Sequence, residues 1–148
     1  MITLEYSISI ESPKEHVWNT MLQPETYKQW VAKSWPSSFY EGEWKEGSEV
    51  RFIGPDGSGT LAFIKEMKPF DYMLAEHIAV LEKGGVINKD SDVAKGWIGS
   101  TESYTFTGSN GTTHLLVKIE TNPGWKSMFD EGWAIALPEL KRICENSK

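Results

Sequence analysis

Apolar and polar residues alternate over positions 3–10: Leu4, Tyr6, Ile8 and Ile10 against Thr3, Glu5, Ser7 and Ser9. A period of two with one polar side predicts a strand with one buried face. The period changes at Ser12-Pro13-Lys14-Glu15. Ser12 and Glu15 are spaced for a capping box, each side chain accepting the other residue's backbone N–H. Pro13 suits the first helical position, where its missing donor costs nothing. A short helix is expected there, with Val17, Trp18, Met21 and Leu22 on one stripe. Pro24 restarts the chain, and 25–31 reads as a second short helix with Tyr27, Trp30 and Val31 on one face.

Beyond Trp35-Pro36 the pattern is one of strands punctuated by Gly, Pro and Asp, residues with known backbone roles in turns. Strands are expected over 38–44, 49–53, 59–67 and 72–80. Residues 81–95 are polar, Gly-containing and aperiodic, and read as a long mobile loop. Strand resumes over 96–107, a hairpin turns at 108–111, and 112–121 is the last strand, with Leu115, Val117 and Ile119 on one face and His114, Lys118 and Glu120 on the other, Leu116 being the exception. After Asn122-Pro123-Gly124, apolar residues recur at helical spacing to the C-terminus, among them Phe129, Trp133, Leu137, Leu140 and Cys144. Gly132 costs this helix about 1 kcal/mol relative to Ala. Pro138 removes a ladder bond and should kink it. The order predicts a single α+β domain over 1–148, an antiparallel sheet with the long helix covering one face.

The 148 residues, 39% hydrophobic and 24% charged, suffice for one globular core. The net charge is −6 and the basic residues are scattered, which opposes binding to nucleic acid or to an anionic membrane. A single cysteine, Cys144, excludes an intramolecular disulfide. No apolar run has the length of a membrane span, and the N-terminus lacks the features of a signal peptide, so a cytoplasmic location is the default expectation. The three histidines, His16, His77 and His114, and the cysteine have no metal-ligand spacing; no Ser or Cys sits in a nucleophile elbow; and Gly57-Ser58-Gly59 lies in a hairpin turn, not before a helix. Neither metal nor cofactor is expected. The seven Trp residues are the unusual feature, because large aromatic rings often border a groove or pocket.

The segment Ile10-Glu11-Ser12-Pro13-Lys14-Glu15-His16-Val17-Trp18, followed by Leu22, Pro24, Glu25 and Trp30, resembles the opening of the family named for activators of the heat-shock-protein-90 ATPase. Gly42, Trp44, Gly47 and Arg51, then Met67-Lys68-Pro69, then Gly132-Trp133 with Leu137 and Leu140, resemble its later elements in order. The resemblance spans the chain, although 81–95 and Pro138 match no part of the pattern. It implies the helix-grip fold of the START-like superfamily: a curved sheet wrapped around a C-terminal helix, two short helices after the first strand, and a cavity between. Many relatives in that superfamily hold sterols, lipids, polyketides or hormones there.

That layout implies a pocket lined from the helices by Trp18, Tyr27, Trp30, Met128, Phe129 and Trp133. Phe63, His77 and Tyr104 would line it from the strands. Trp18 fits the core stripe of its own helix better than a pocket wall, because the stripe of a capped helix usually faces the core. Glu76 and His77 are neighbours in a strand and must face opposite sides, so one of them points inward. The leading expectation is a non-catalytic domain holding a small apolar or amphipathic molecule, as monomer or homodimer. A chaperone-partner domain is one alternative. Another is a cyclase- or dehydratase-like enzyme, which would require polar groups such as Glu76, His77, Tyr104 or Arg51 to converge inside.

Overall fold

The structure is a computed structural model and describes residues 1–147. Strand β1, Ile2–Ile10, pairs antiparallel and without a register shift with the last strand, β8, Thr112–Thr121. The alternation of β8 is obeyed: Leu115, Val117 and Ile119 are fully buried and His114, Lys118 and Glu120 exposed. Helix α1, Lys14–Leu22, follows β1. The capping box does not form. The carbonyl of Pro13 starts the helix by accepting the N–H groups of His16 and Val17 at 3.0 and 3.1 Å, and Glu15 faces solvent. Ser12 is instead buried beneath β8, where its carbonyl accepts the Thr113 hydroxyl at 2.7 Å. Helix α2, Pro24–Val31, begins at Pro24 itself, which occupies a first-turn position.

Strands β2 (Phe39–Gly42), β3 (Glu49–Ile53), β4 (Gly59–Lys68) and β5 (Tyr72–Glu82) form an antiparallel meander. β2 is shorter than the expected 38–44, and Trp44 lies beyond it with its ring against Tyr40 and Phe52. The stretch read as a loop over 81–95 is folded. β5 runs two residues further, Gly84 and Gly85 turn the chain with φ of +80° and +82°, and a short strand β6, Val86–Asn88, pairs back on β5. These two φ values lie where glycine carries no steric penalty. Asn88 Oδ1 then accepts the N–H groups of Asp90 and Ser91, and Ser91 Oγ caps helix α3, Asp92–Trp97, at the N–H of Ala94 (3.1 Å). The strand expected to begin at 96 therefore begins at 101, as β7, Thr101–Ser109. The described strands form one antiparallel sheet in the order β1-β8-β7-β5-β4-β3-β2, with β6 on the far half of β5.

A 3-10 turn, Pro123–Trp125, leads into helix α4, Lys126–Asn146, which packs with α1 and α2 on one face of the sheet. The main core lies between: Ile10, Met21, Ile64, Met73, Leu115, Ile119 and Leu140 have almost no exposed surface. α4 continues through Pro138, which sits with Ala134 on the exposed side, so the carbonyl deprived of its rung faces water. Gly132 has a packing reason. A Cβ there would run into the indole of Trp35, whose next ring atoms would lie at 3.0 and 3.1 Å, and the Ser34 hydroxyl donates to the Gly132 carbonyl at 2.7 Å. No described helix is long and apolar enough to cross a membrane.

Candidate ligand cavity

The parity of β5 decides between its two adjacent polar residues. Glu76 faces outward, 3.0 Å from Lys65 Nζ, and His77 faces inward with 2% of its surface exposed. β7 pairs with β5 only up to Glu76. Beyond that point the His77 backbone is held by the carbonyl of Ser100 (2.8 Å) and the N–H of Gly99 (2.9 Å), the residues between α3 and β7. This handover sets the imidazole against Trp97 of α3, ring centroids 4.5 Å apart.

Around His77 the sheet and helices α2, α3 and α4 leave a cavity of about 380 Å³. Small-molecule sites run from about 300 to 1,000 Å³, so this is a compact one. Aromatic rings in mutual contact make its walls. Phe129 stacks on Trp97 at 5.8 Å; Trp97 meets His77; His77 meets Phe52 at 6.3 Å; Phe52 meets Tyr27 at 6.4 Å. Tyr27 abuts Trp30 at 5.4 Å, Trp30 stacks on Trp133 at 5.8 Å, and Trp133 meets Tyr104 at 6.0 Å. Aromatic pairs at such separations contribute about 0.5–1.5 kcal/mol each beyond area burial, so the belt holds its shape around an unfilled centre. Met128 and Val93, both exposed, stand on the rim.

Among the described wall residues one is a carboxylate. Glu102 on β7 points the same way as Tyr104, two residues on, and 14% of its side chain is exposed. Its Oε2 accepts the Tyr104 hydroxyl at 3.3 Å, and its Oε1 lies 3.5 Å from His77 Nε2, outside hydrogen-bonding geometry. Burial first, then the Glu102 charge, raises the Tyr104 and Tyr27 hydroxyls well above the ordinary phenol range, so both remain protonated donors. Neither His77 ring nitrogen nor the indole nitrogens of Trp97 and Trp133 has a hydrogen-bond partner among the described residues. Each such group forfeits about 1–3 kcal/mol of hydration.

Of the nine expected lining residues, Tyr27, Trp30, His77, Tyr104, Met128, Phe129 and Trp133 border this cavity. Trp18 does not: it is buried edge-on against Phe106 (5.2 Å) and Phe70 (6.0 Å), in the core stripe of α1. Phe63 does not either. It lies between Ala62 and Ile64, which face the main core, so strand alternation turns it to the outer face. Of the four residues named for an enzyme, His77 and Tyr104 border the cavity, while Glu76 and Arg51 face away, Arg51 reaching the Gly85 carbonyl at 3.3 Å. Trp35, Phe52, Trp97 and Glu102 are walls that the sequence reading missed, and Trp125, at the entry to α4, is a further wall. Glu102 was within reach of it, since it shares strand parity with Tyr104 and Phe106. Cys144 is buried away from the cavity, and burial pushes its thiol up to about 11. No group of three or more His, Cys, Asp or Glu among the described residues could hold a metal ion.

A curved antiparallel sheet gripping a long C-terminal helix, with two short helices after the first strand and an aromatic cavity between, is the helix-grip fold of START-like domains. Solved structures share it along the whole chain. The Aha1 dimer from Colwellia psychrerythraea superposes with a TM-score of 0.75 at 16% identity, covering 100% of this chain and 99% of that one. DynU16, from the dynemicin biosynthetic locus, gives 0.73 at 18% identity, covering 99% of this chain and 48% of that chain, so the present chain spans about half of it. CalU16 from Micromonospora echinospora gives 0.68 at 15% identity, covering 98% and 66%. No curated protein sequence matches the chain. The model of the family described as activator of Hsp90 ATPase homolog 1-like protein matches residues 11–145, and the chain belongs to that family.

Proposed function

We propose that the protein is a binding module which holds one small apolar or amphipathic molecule in the cavity between the sheet and α4, without transforming it. The observation that carries this reading is the unfilled space of about 380 Å³ inside a ring of aromatic side chains. Interiors are packed to crystal-like density, with few voids larger than a water. A domain with seven Trp residues could have closed this one. The buried polar atoms without protein partners, at His77, Trp97 and Trp133, add to the case, because a site of this kind combines apolar walls with a few polar groups.

The test is a cavity-filling variant. Val80 borders the cavity from β5, and Val80→Phe adds ring volume there. Native mass spectrometry of the purified wild type should reveal a co-purified small molecule, and thermal-shift screening of apolar and aromatic compounds should find ligands. At a hundred times its dissociation constant a ligand adds about 2.7 kcal/mol of stability. For a domain of this size that is a rise of about 5–11 °C in Tm. Val80→Phe should fold and lose both signals. An unshifted Tm across the library, with no co-purified mass, refutes the reading.

The chaperone-partner reading draws on the family's description and on the dimeric Aha1 of Colwellia. It calls for a surface and leaves the cavity without a role. Recovery of a chaperone from lysate by wild type and Val80→Phe alike would favour it.

A further inference from the structure

Taking the cavity as a ligand site, we propose that its ligand is an organic cation, an amine with an apolar body, whose ammonium group sits beside Glu102 within the aromatic belt. The described wall residues contain one carboxylate and no Lys or Arg. A fatty-acid carboxylate or a phosphate would find no Lys or Arg to meet it and would face Glu102 instead. A neutral ligand would fit the rings but would leave Glu102 with only the His77 imidazole to serve as counter-ion, 3.5 Å from Oε1 and outside hydrogen-bonding geometry; charges in largely apolar surroundings are normally paired and hydrogen-bonded. An ammonium group meets both demands. Aromatic faces attract cations through the ring quadrupole, most strongly when water is excluded, and indole is the best of them. Trp30, Trp97 and Trp133 all contribute to the walls. The Tyr104 hydroxyl donates to Oε2, and Oε1 has no hydrogen bond from His77, so one carboxylate oxygen is available to an N–H donor. The net charge of −6 draws cations toward the molecule from outside. Met128 and Val93 on the rim offer apolar contact to the ligand's body.

Three probes with one body and different ends separate charge from fit: 4-phenylbutylamine, 4-phenylbutan-1-ol and 4-phenylbutyrate, titrated calorimetrically at neutral pH. In the wild type the amine should bind about tenfold or more tighter than the alcohol, and the butyrate weakest. Glu102→Gln, which keeps the shape and an acceptor for Tyr104, should cut the amine-to-alcohol ratio to about threefold or less while changing the alcohol little. Glu102→Asp, which keeps the charge, should retain the preference. Equal wild-type affinities for amine and alcohol, a butyrate that binds best, or a ratio unchanged in Glu102→Gln would overturn the charge assignment and leave the cavity reading standing. If none of the three binds the wild type at millimolar concentration, both fall. The wild-type ratio decides the charge class even should a Glu102 variant fail to fold.

Discussion

Gly132→Ala offers a test in which two ordinary rules disagree in sign. In the interior of α4, Ala is favoured over Gly by about 1 kcal/mol from helix propensity alone. At this position, however, the new Cβ would meet the six-membered ring of Trp35. Trp35 cannot retreat freely, because its indole also packs edge-on against Trp133 at 5.7 Å and the neighbouring Ser34 is tied to the Gly132 carbonyl. Inserting a methyl group into such packing costs about 1–3 kcal/mol. The balance is a net loss of about 1 kcal/mol, or a fall of about 2–4 °C in Tm for a chain of this length. Urea denaturation and calorimetry of the variant would measure it. The double variant Trp35→Ala/Gly132→Ala completes the cycle: once the ring is gone, Ala at 132 should stabilise relative to Gly, giving a coupling of about 1–3 kcal/mol. If Gly132→Ala alone raises stability by about 1 kcal/mol, the close approach of Trp35 to the helix is wrong.

Two further outcomes are expected. Hydrogen bonding by Arg142, aided by Lys33, holds the Glu139 carboxyl below its usual range; a depressed native pKa means stability that is complete above the unfolded carboxylate pKa and is lost as pH falls through the native one, so Glu139→Gln should flatten the acid side of a Tm-against-pH curve while the wild type falls steeply below about pH 4. Ser91→Ala removes the cap of α3 and should cost about 0.5–2 kcal/mol; because α3 carries Val93 and Trp97 to the cavity, amide exchange should accelerate over 92–97 and the affinity of any cavity ligand should drop, whereas unchanged exchange would show that the cap is dispensable.

The fold was legible wherever one period ran long enough to be read. β1 and β8 alternate, Leu116 apart, because one face of each is wet, and α4 shows its stripe for 21 residues. Residues 81–97 were not legible, because their elements are too short for a period to register: three residues of β6 and six of α3. Their signals were local instead: the paired glycines at 84 and 85, and Ser91-Asp92 as cap and acidic first turn. Ser12 shows the opposite failure. It fits the capping spacing, but its N–H is taken by the Ile10 carbonyl at 2.8 Å and its buried Oγ has no partner among the described residues, so tertiary packing overrode the local motif. For the cavity, aromatic residues on helices were readable as a set. Trp97 was missed with its helix, and Glu102 was passed over although strand parity tied it to Tyr104. Phe63 was placed on the wrong side because its neighbours Ala62 and Ile64, not Phe63 itself, supply the inward positions of β4.

The ring-to-ring contacts from Phe129 through Trp97 and His77 to Trp133 have a spectroscopic consequence. Indoles packed this closely pass excitation among themselves before they emit. The near-ultraviolet dichroism and emission of these indoles therefore belong to the belt as a whole, and exchanging Trp30, Trp97 or Trp133 for Phe will reshape the spectrum of the others.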